Sequence, residues 1–169
     1  MIEPMIEPIF VILGILASVA IPRLAATRED AEISAAVANL RTLVSDASAY
    51  YTVKGNFNGA KWNDITNVSL KIPTSNATGV ATVAANLKVG SVDDCIFVRL
   101  VDKTGAGAGT TPAHIVIAKK NSATGVCGQV VAAAPVKAYL DSTVAGVVKN
   151  GKPVLGAIAI GSNTSVYSN

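Results

Sequence analysis

The sequence predicts an α+β fold: one long N-terminal helix, then a globular domain built on an antiparallel β-sheet. Three features lead there. Residues 23–53 contain no glycine or proline and carry a heptad-like apolar seam. Short apolar runs bounded by Gly, Pro and Asn fill the second half of the chain. The opening holds an uncharged apolar run that its own chain is not placed to cover. The chain accordingly divides into a helix over 1–53, hydrophobic over 1–24 and amphipathic over 25–53, and a sheet domain over 54–169.

The seam is Ile33, Val37, Leu40, Val44, Ala47 and Tyr51, spaced alternately four and three apart. Arg28, Glu29, Asp30, Glu32, Arg41 and Asp46 lie around it, with Arg28 and Glu32 at helical i, i+4 spacing. Lys54-Gly55-Asn56 ends the pattern. At 1.5 Å per residue, residues 23–53 make a helix about 45 Å long. Its C-terminal half can pack on a domain. Its N-terminal half must find lipid or other copies of itself.

From Ile9 to Ile21 the chain carries no charge, and Pro22-Arg23 stops the run. A cleavable secretory signal needs a basic flank and a small-residue cleavage site, whereas this flank holds Glu3 and Glu7. A permanent membrane span needs about 20 apolar residues, and a run of about 10–14 also suits a buried core helix. Composition leaves these choices open.

The residues themselves carry a resemblance. ILGILASVAIPRL, from Ile12 to Leu24, resembles the N-terminal helix of the type IV pilin-like family, which comprises type IV pilins and the pseudopilins of type II secretion. Mature chains of that family resemble FTLIELIFVIVILGILAAVAIP, with a glycine and a proline placed like Gly14 and Pro22. The likeness covers about the first fifty residues and is specific over 11–24. It implies a mature chain whose leader a prepilin peptidase has removed and whose terminal amine is methylated. Hydrophobic helices of such chains leave the inner membrane, with the help of the pilus assembly machinery, and bundle into the core of a cell-surface filament.

Carried over residue by residue, the resemblance gives Ile12, Leu13, Ile15, Leu16, Ala17, Val19 and Ile21 as bundle contacts. Gly14, Ala17, Ser18 and Ala20 are small enough for close helix approach. A carboxylate inside an apolar bundle is costly unless paired, so the family's glutamate meets a neighbour's terminal amine and sets axial register. Here Met1 stands where the family has Phe, and the glutamate's place falls at Met5. Aligned on MIEPIFV, Glu7 becomes the equivalent, with Glu3 the second candidate and Met1 the amine. The alternative is that both carboxylates are solvated outside the bundle. Gly14 and Pro22 weaken the helix, either as a stretch that melts on assembly or as a simple proline kink.

Beyond the helix, residues 54–92 read as a linker region in which Trp62 is a packing anchor. Strand patterns begin at Cys95 with CIFVRLV and continue with AHIVIA (113–118) and VCGQVVAAA (126–134). DKTGAGAGTTP between the first two is a hairpin loop; no Gly-Lys-Ser/Thr follows to make it a phosphate site. Asn150-Gly151 marks a two-residue hairpin, and VLGAIAI (154–160) the final strand. Cys95 and Cys127 read as one disulfide between neighbouring strands, worth about 3–4 kcal/mol and implying export; the alternative is two buried free thiols.

No constellation for catalysis, cofactor binding or metal binding emerges. His114 alternates with strand neighbours, without a cysteine or serine partner. Asp93-Asp94 could begin a calcium site of the kind some pseudopilins carry, but only five acids follow residue 53. Residues from Lys54 onward hold eleven basic and five acidic side chains, scattered rather than clustered, so nucleic acid is a subordinate partner. Asn67, Asn76 and Asn163 fit the N-glycosylation pattern. Half the chain is hydrophobic yet only 5% aromatic, which means a light, small-residue core. The expected function is a structural subunit of a type IV pilus filament. Its alternatives are a type II secretion pseudopilin and a monomeric membrane-anchored periplasmic binding module.

Overall fold

The computed structural model describes residues 7–74, 82, 84–105, 111–120 and 125–161, and for 7–10 and 16–27 the backbone alone. The architecture is α+β. Helix α1 runs without a break over Glu7–Lys54, 48 residues, or about 72 Å at the standard rise. Gly55 terminates it in the left-handed region at φ 73°, its N–H donating to the Tyr51 carbonyl at 2.7 Å. That turn is open to glycine at no steric cost, which is why the helix stops there.

A five-stranded, wholly antiparallel sheet lies against the C-terminal half of α1. Its strands are β1 (Leu70–Lys71), β2 (Ala85–Val89), β3 (Val92–Val101), β4 (His114–Lys119) and β7 (Ala157–Ala159), in the spatial order β1-β2-β3-β4-β7. Three short helices complete the domain: α2 (Trp62–Ile65), α3 (Gly125–Ala132) and α4 (Ala134–Leu140). A separate two-stranded ribbon pairs β5 (Val148–Lys149) with β6 (Lys152–Pro153).

Register explains the core. Val98 faces Ala85 on one side and Ile117 on the other, Leu100 faces Ile115, and Ile96 faces Leu87. Strand residues alternate sides, so these apolar side chains share one face. They form a single cluster with Leu40, Leu43 and Ala47 of α1, Phe57, Trp62, Val130 of α3 and Val136 of α4. Trp62 is 1% exposed, as expected of a packing anchor.

Along α1, the buried residues are Ala36, Leu40, Leu43 and Ala47, with Ile33, Val37, Val44, Tyr50 and Tyr51 packed at their flanks. The stripe is wider than the expected seam, because Ala36 and Leu43 are buried as fully as Leu40 and Ala47. A helix lying on a sheet needs an apolar face of about 100° or more, whereas a seam spaced in alternating threes and fours suffices only for a narrow helix pair.

Several expectations need correction. Residues 126–134 form no strand: Gly125–Ala132 is helix α3, so the disulfide joins a strand to a helix. Cys127 and Val130 are its buried residues, and their i, i+3 spacing is helical. A run that is apolar apart from Gly128 and Gln129 hides that period, and Pro135 favours a helix start by sitting in the first turn of α4. The supposed linker 54–92 contains α2, β1 and β2. In β2 the alternation Ala85-Asn86-Leu87-Lys88-Val89 is present but short and half polar. The next strand starts at Val92 rather than Cys95, and the last is confined to Ala157–Ala159.

The hairpin expectations are met. β3 and β4 pair directly, and the Thr104–Thr111 bridge continues the pairing into their loop. Asn150 and Gly151 have φ of 53° and 74°, the double left-handed turn that suits a two-residue hairpin.

Candidate assembly surface

The candidate surface lies at the end of α1 that the sheet does not cover. At the N-terminal end of α1, Val11, Ile12, Leu13 and Ile15 are 62%, 58%, 55% and 62% exposed. Successive residues on a helix turn by about 100°, so four exposed positions within five residues span the whole circumference. The end is therefore apolar on every side and solvent-exposed on every side. An all-round hydrophobic helix belongs in a bundle core or a bilayer. Covering each of those side chains fully is worth about 1.5–3 kcal/mol, so the drive to cover them is large on the scale of a domain's stability.

Gly14 lies inside this stretch, and a Cβ added there would meet nothing within 4 Å. Its own chain therefore gives no steric reason for glycine; a bare backbone patch matters only to something approaching from outside. Val11 belongs with Ile12, Leu13 and Ile15 although the sequence resemblance did not single it out. The signal was the same uncharged run. Among the described residues α1 begins at Glu7, and Leu16, Ala17, Ser18, Val19, Ala20, Ile21 and Pro22 lie on the continuing helix, with their side chains outside the described set. Met1 and Glu3 lie outside the described residues. Among the described residues, no helix is long and apolar enough to cross a membrane.

Polar ties hold the other half of α1 to the domain, so the apolar end is carried on a fixed lever. Asp46 accepts from the Thr66 hydroxyl at 2.7 Å, and the Thr66 oxygen in turn accepts from the Val68 N–H. Glu29 accepts from the Gln129 amide at 3.0 Å, linking α1 to α3. Asp102 receives the Phe57 N–H at 2.6 Å just after the helix ends. These partners are 20, 100 and 45 residues apart, and no local sequence signal announces such pairs. The Arg28–Glu32 ion pair is exposed and adds only about 0.3–0.5 kcal/mol.

The disulfide Cys95–Cys127 is formed, with Cα atoms 5.5 Å apart, and both residues are buried. Asp93 bridges Lys88 at 3.1 Å and Lys71 at 3.4 Å; hydrogen bonding to Lys88 is the main reason its carboxyl lies below the usual range. Asp94 bridges Lys120 at 2.8 Å and also accepts from Asn86, and the Lys120 bond chiefly lowers its pKa. Both carboxylates thus face ammonium groups. Among the described residues, no group of three or more His, Cys, Asp or Glu could hold a metal ion.

His114 is buried, and its Nδ1–H donates to the Pro112 carbonyl at 2.8 Å. Burial is the main cause of its lowered pKa, with Arg99 adding to it. It faces Ala159 and Val101 across the sheet, an arrangement for packing. Asn67 is exposed; Asn76 and Asn163 lie outside the described residues.

Comparison with known proteins finds no matching family model, no matching curated protein and no matching solved structure.

Proposed function

We propose that this chain is a type IV pilin-like structural subunit, which polymerises through the N-terminal end of α1 into a cell-surface filament. One observation carries the reading: Val11 to Ile15 are exposed around the full helix circumference, while the same helix from Ala36 to Ala47 buries one face against a sheet. The resemblance of Ile12 to Leu24 supports it independently. Mechanism is assembly rather than catalysis.

The uncharged run Ile9–Ile21 spans about 20 Å, less than the roughly 30 Å hydrocarbon core of a bilayer. In the proposed cycle a bilayer hosts this run only until a bundle of like helices replaces it. Moving from lipid to such a bundle gains little hydrophobic energy, so packing at Gly14, Ala17, Ser18 and Ala20 and pairing of Glu7 with a terminal amine set the geometry. The sheet domain forms the outer surface. The lysines already facing Asp93 and Asp94 favour this reading over a pseudopilin that binds calcium there.

Electron microscopy of material sheared from producing cells, with mass spectrometry of its main band, tests the proposal. Thin fibres composed of this chain are expected. Absence of fibres, with the chain left in the membrane fraction, would overturn it. Glu7→Ala is expected to abolish fibres while leaving the subunit in the membrane; normal fibres from that variant would sink the charge-pairing step.

A further inference from the structure

The chain holds two Asn-Gly pairs, Asn58-Gly59 and Asn150-Gly151, and both are exposed. An asparagine amide followed by glycine is chemically labile. The side-chain carbonyl carbon lies within reach of the next backbone nitrogen, and glycine has no Cβ to shield that nitrogen. Attack requires the asparagine backbone to turn until the nitrogen meets the side chain. The fold treats the two pairs differently in this respect.

Asn58-Gly59 is clamped. The Ala60 N–H donates to the Phe57 carbonyl at 3.1 Å across the pair, and the Asn58 N–H donates to the Asn56 side chain at 3.1 Å. Phe57 is fully buried, with the rings of Tyr50 and Tyr51 at 6.1 and 5.1 Å. Asp102 accepts the Phe57 N–H, so negative charge also stands beside this turn. Asn150-Gly151 is instead the tip of the β5–β6 ribbon, tied by two residue pairs and, at its base, by the Val154 N–H on the Val147 carbonyl. Neither the Asn150 side-chain amide nor the Gly151 N–H makes a hydrogen bond among the described residues. Asn150 sits in the left-handed region at φ 53°, which is costly for an L residue and so easier to leave. Lys149 and Lys152 flank the pair, directly opposed and without an ion pair among the described residues. Residues 142–161 contain no Asp or Glu.

We infer that Asn150 is a site of spontaneous covalent modification, converting to a mixture of isoaspartate and aspartate while Asn58 is spared. The Gly151 amide nitrogen gives its proton to hydroxide and attacks Asn150 Cγ. A nitrogen–carbon bond forms, the Cγ–Nδ2 bond breaks, and the amide group takes a proton from water and leaves as ammonia. A second water opens the resulting cyclic imide at either carbonyl, giving isoaspartate or aspartate without any change of oxidation state. The two ammonium groups stabilise the nitrogen anion and the oxyanion that follows it. Afterwards they share a new carboxylate, which offsets the repulsion between opposed like charges. Isoaspartate adds one methylene to the main chain of a two-residue loop, so the Lys149–Lys152 register cannot be kept. The inference does not depend on the filament reading, since a monomeric chain carries the same ribbon.

The test incubates the full chain in mildly alkaline buffer and follows its proteolytic peptides by mass spectrometry, with isoaspartyl methyltransferase labelling to identify the isomer. The Asn150 peptide should gain one mass unit and accept methyl groups about 10-fold faster than the Asn58 peptide, the ratio that a modest difference in barrier produces. Asn150→Gln should abolish methyl acceptance at that peptide. In denaturant, Asn58 should speed up until it approaches Asn150. Lys149→Gln with Lys152→Gln should slow the reaction at Asn150 about 5-fold at low salt. An Asn150 that stays unmodified, or equal rates at the two sites in the folded chain, would overturn the inference. So would an Asn58 that stays equally slow in denaturant, since local sequence rather than the fold would then set the preference. A lysine double variant reacting at the wild-type rate would overturn the role given to the ammonium groups.

Discussion

The two halves of α1 share one continuous helix, yet they meet water in opposite ways. From Ala36 to Ala47 the buried positions recur every three or four residues, with Val37 and Val44 half-buried beside them and Arg41, Thr42 and Ser45 exposed. From Val11 to Ile15 exposed apolar side chains occupy consecutive positions around the axis. Helix formation is common to both. What separates them is periodicity: an apolar stripe can be satisfied by one sheet, whereas an apolar cylinder needs neighbours on every side. The first half is thus stable only in company, and the second anchors it to a domain that is already complete.

Removing residues 1–27 breaks the comparison most directly. Sedimentation should show assembly or membrane association abolished, while thermal melting of the remaining domain stays nearly unchanged. A truncated chain that still forms fibres would mean that the sheet domain polymerises without the helix end. Single substitutions in the two halves come next. Leu43→Ala should cost about 2–5 kcal/mol in denaturant unfolding, as full burial implies. Leu13→Ala in the monomer should stay within about 0.5 kcal/mol, because nothing there depends on it.

Replacing Cys95 and Cys127 together by alanine should lower stability by about 3 kcal/mol, from the 32-residue separation that the bond closes. Thr66→Val removes the hydroxyl from Asp46 and from the Val68 N–H, and should cost about 1–2 kcal/mol while leaving assembly intact. An acid titration of unfolding completes the set. His114 has its native pKa depressed below 6.5, so the unfolded chain takes up its proton first. Its contribution is present above pH 6.5 and is lost as pH falls from there to the depressed native value. His114→Gln should flatten that part of the profile. Asp93 and Asp94, also depressed, contribute above 3.8 and lose it only as pH falls further, in a separate window.

Much of the first half was legible because its signals are local. The run 23–53 without glycine or proline, the Gly55 stop and the Asn150-Gly151 turn each follow from backbone preferences of a few residues. The β3–β4 hairpin was legible too, its alternation being longer. The misreadings fall where local signals are ambiguous. Residues 126–134 are apolar apart from Gly128 and Gln129, so a strand and a helix predict much the same composition, and packing of Cys127 and Val130 decides for the helix. β2 pairs its polar Asn86 with Asp94, eight residues on, so its polar position is legible only once the sheet exists. For the candidate assembly surface, the apolar run was plain in the sequence. That it remains exposed on all sides follows only from where the sheet lies.

The disulfide has a mechanical consequence. Cys95 and Cys127 close a ring that contains most of β3, the whole of β4 and the start of α3. If the chain is pulled by its two ends, tension passes through the sulfur bridge and bypasses everything inside that ring. At about 3.5 Å per extended residue, the 32-residue separation withholds roughly 110 Å of contour length. The central hairpin of the sheet is thus shielded from stretching. Under load β7 and the ribbon can peel away, while the middle of the domain keeps its length.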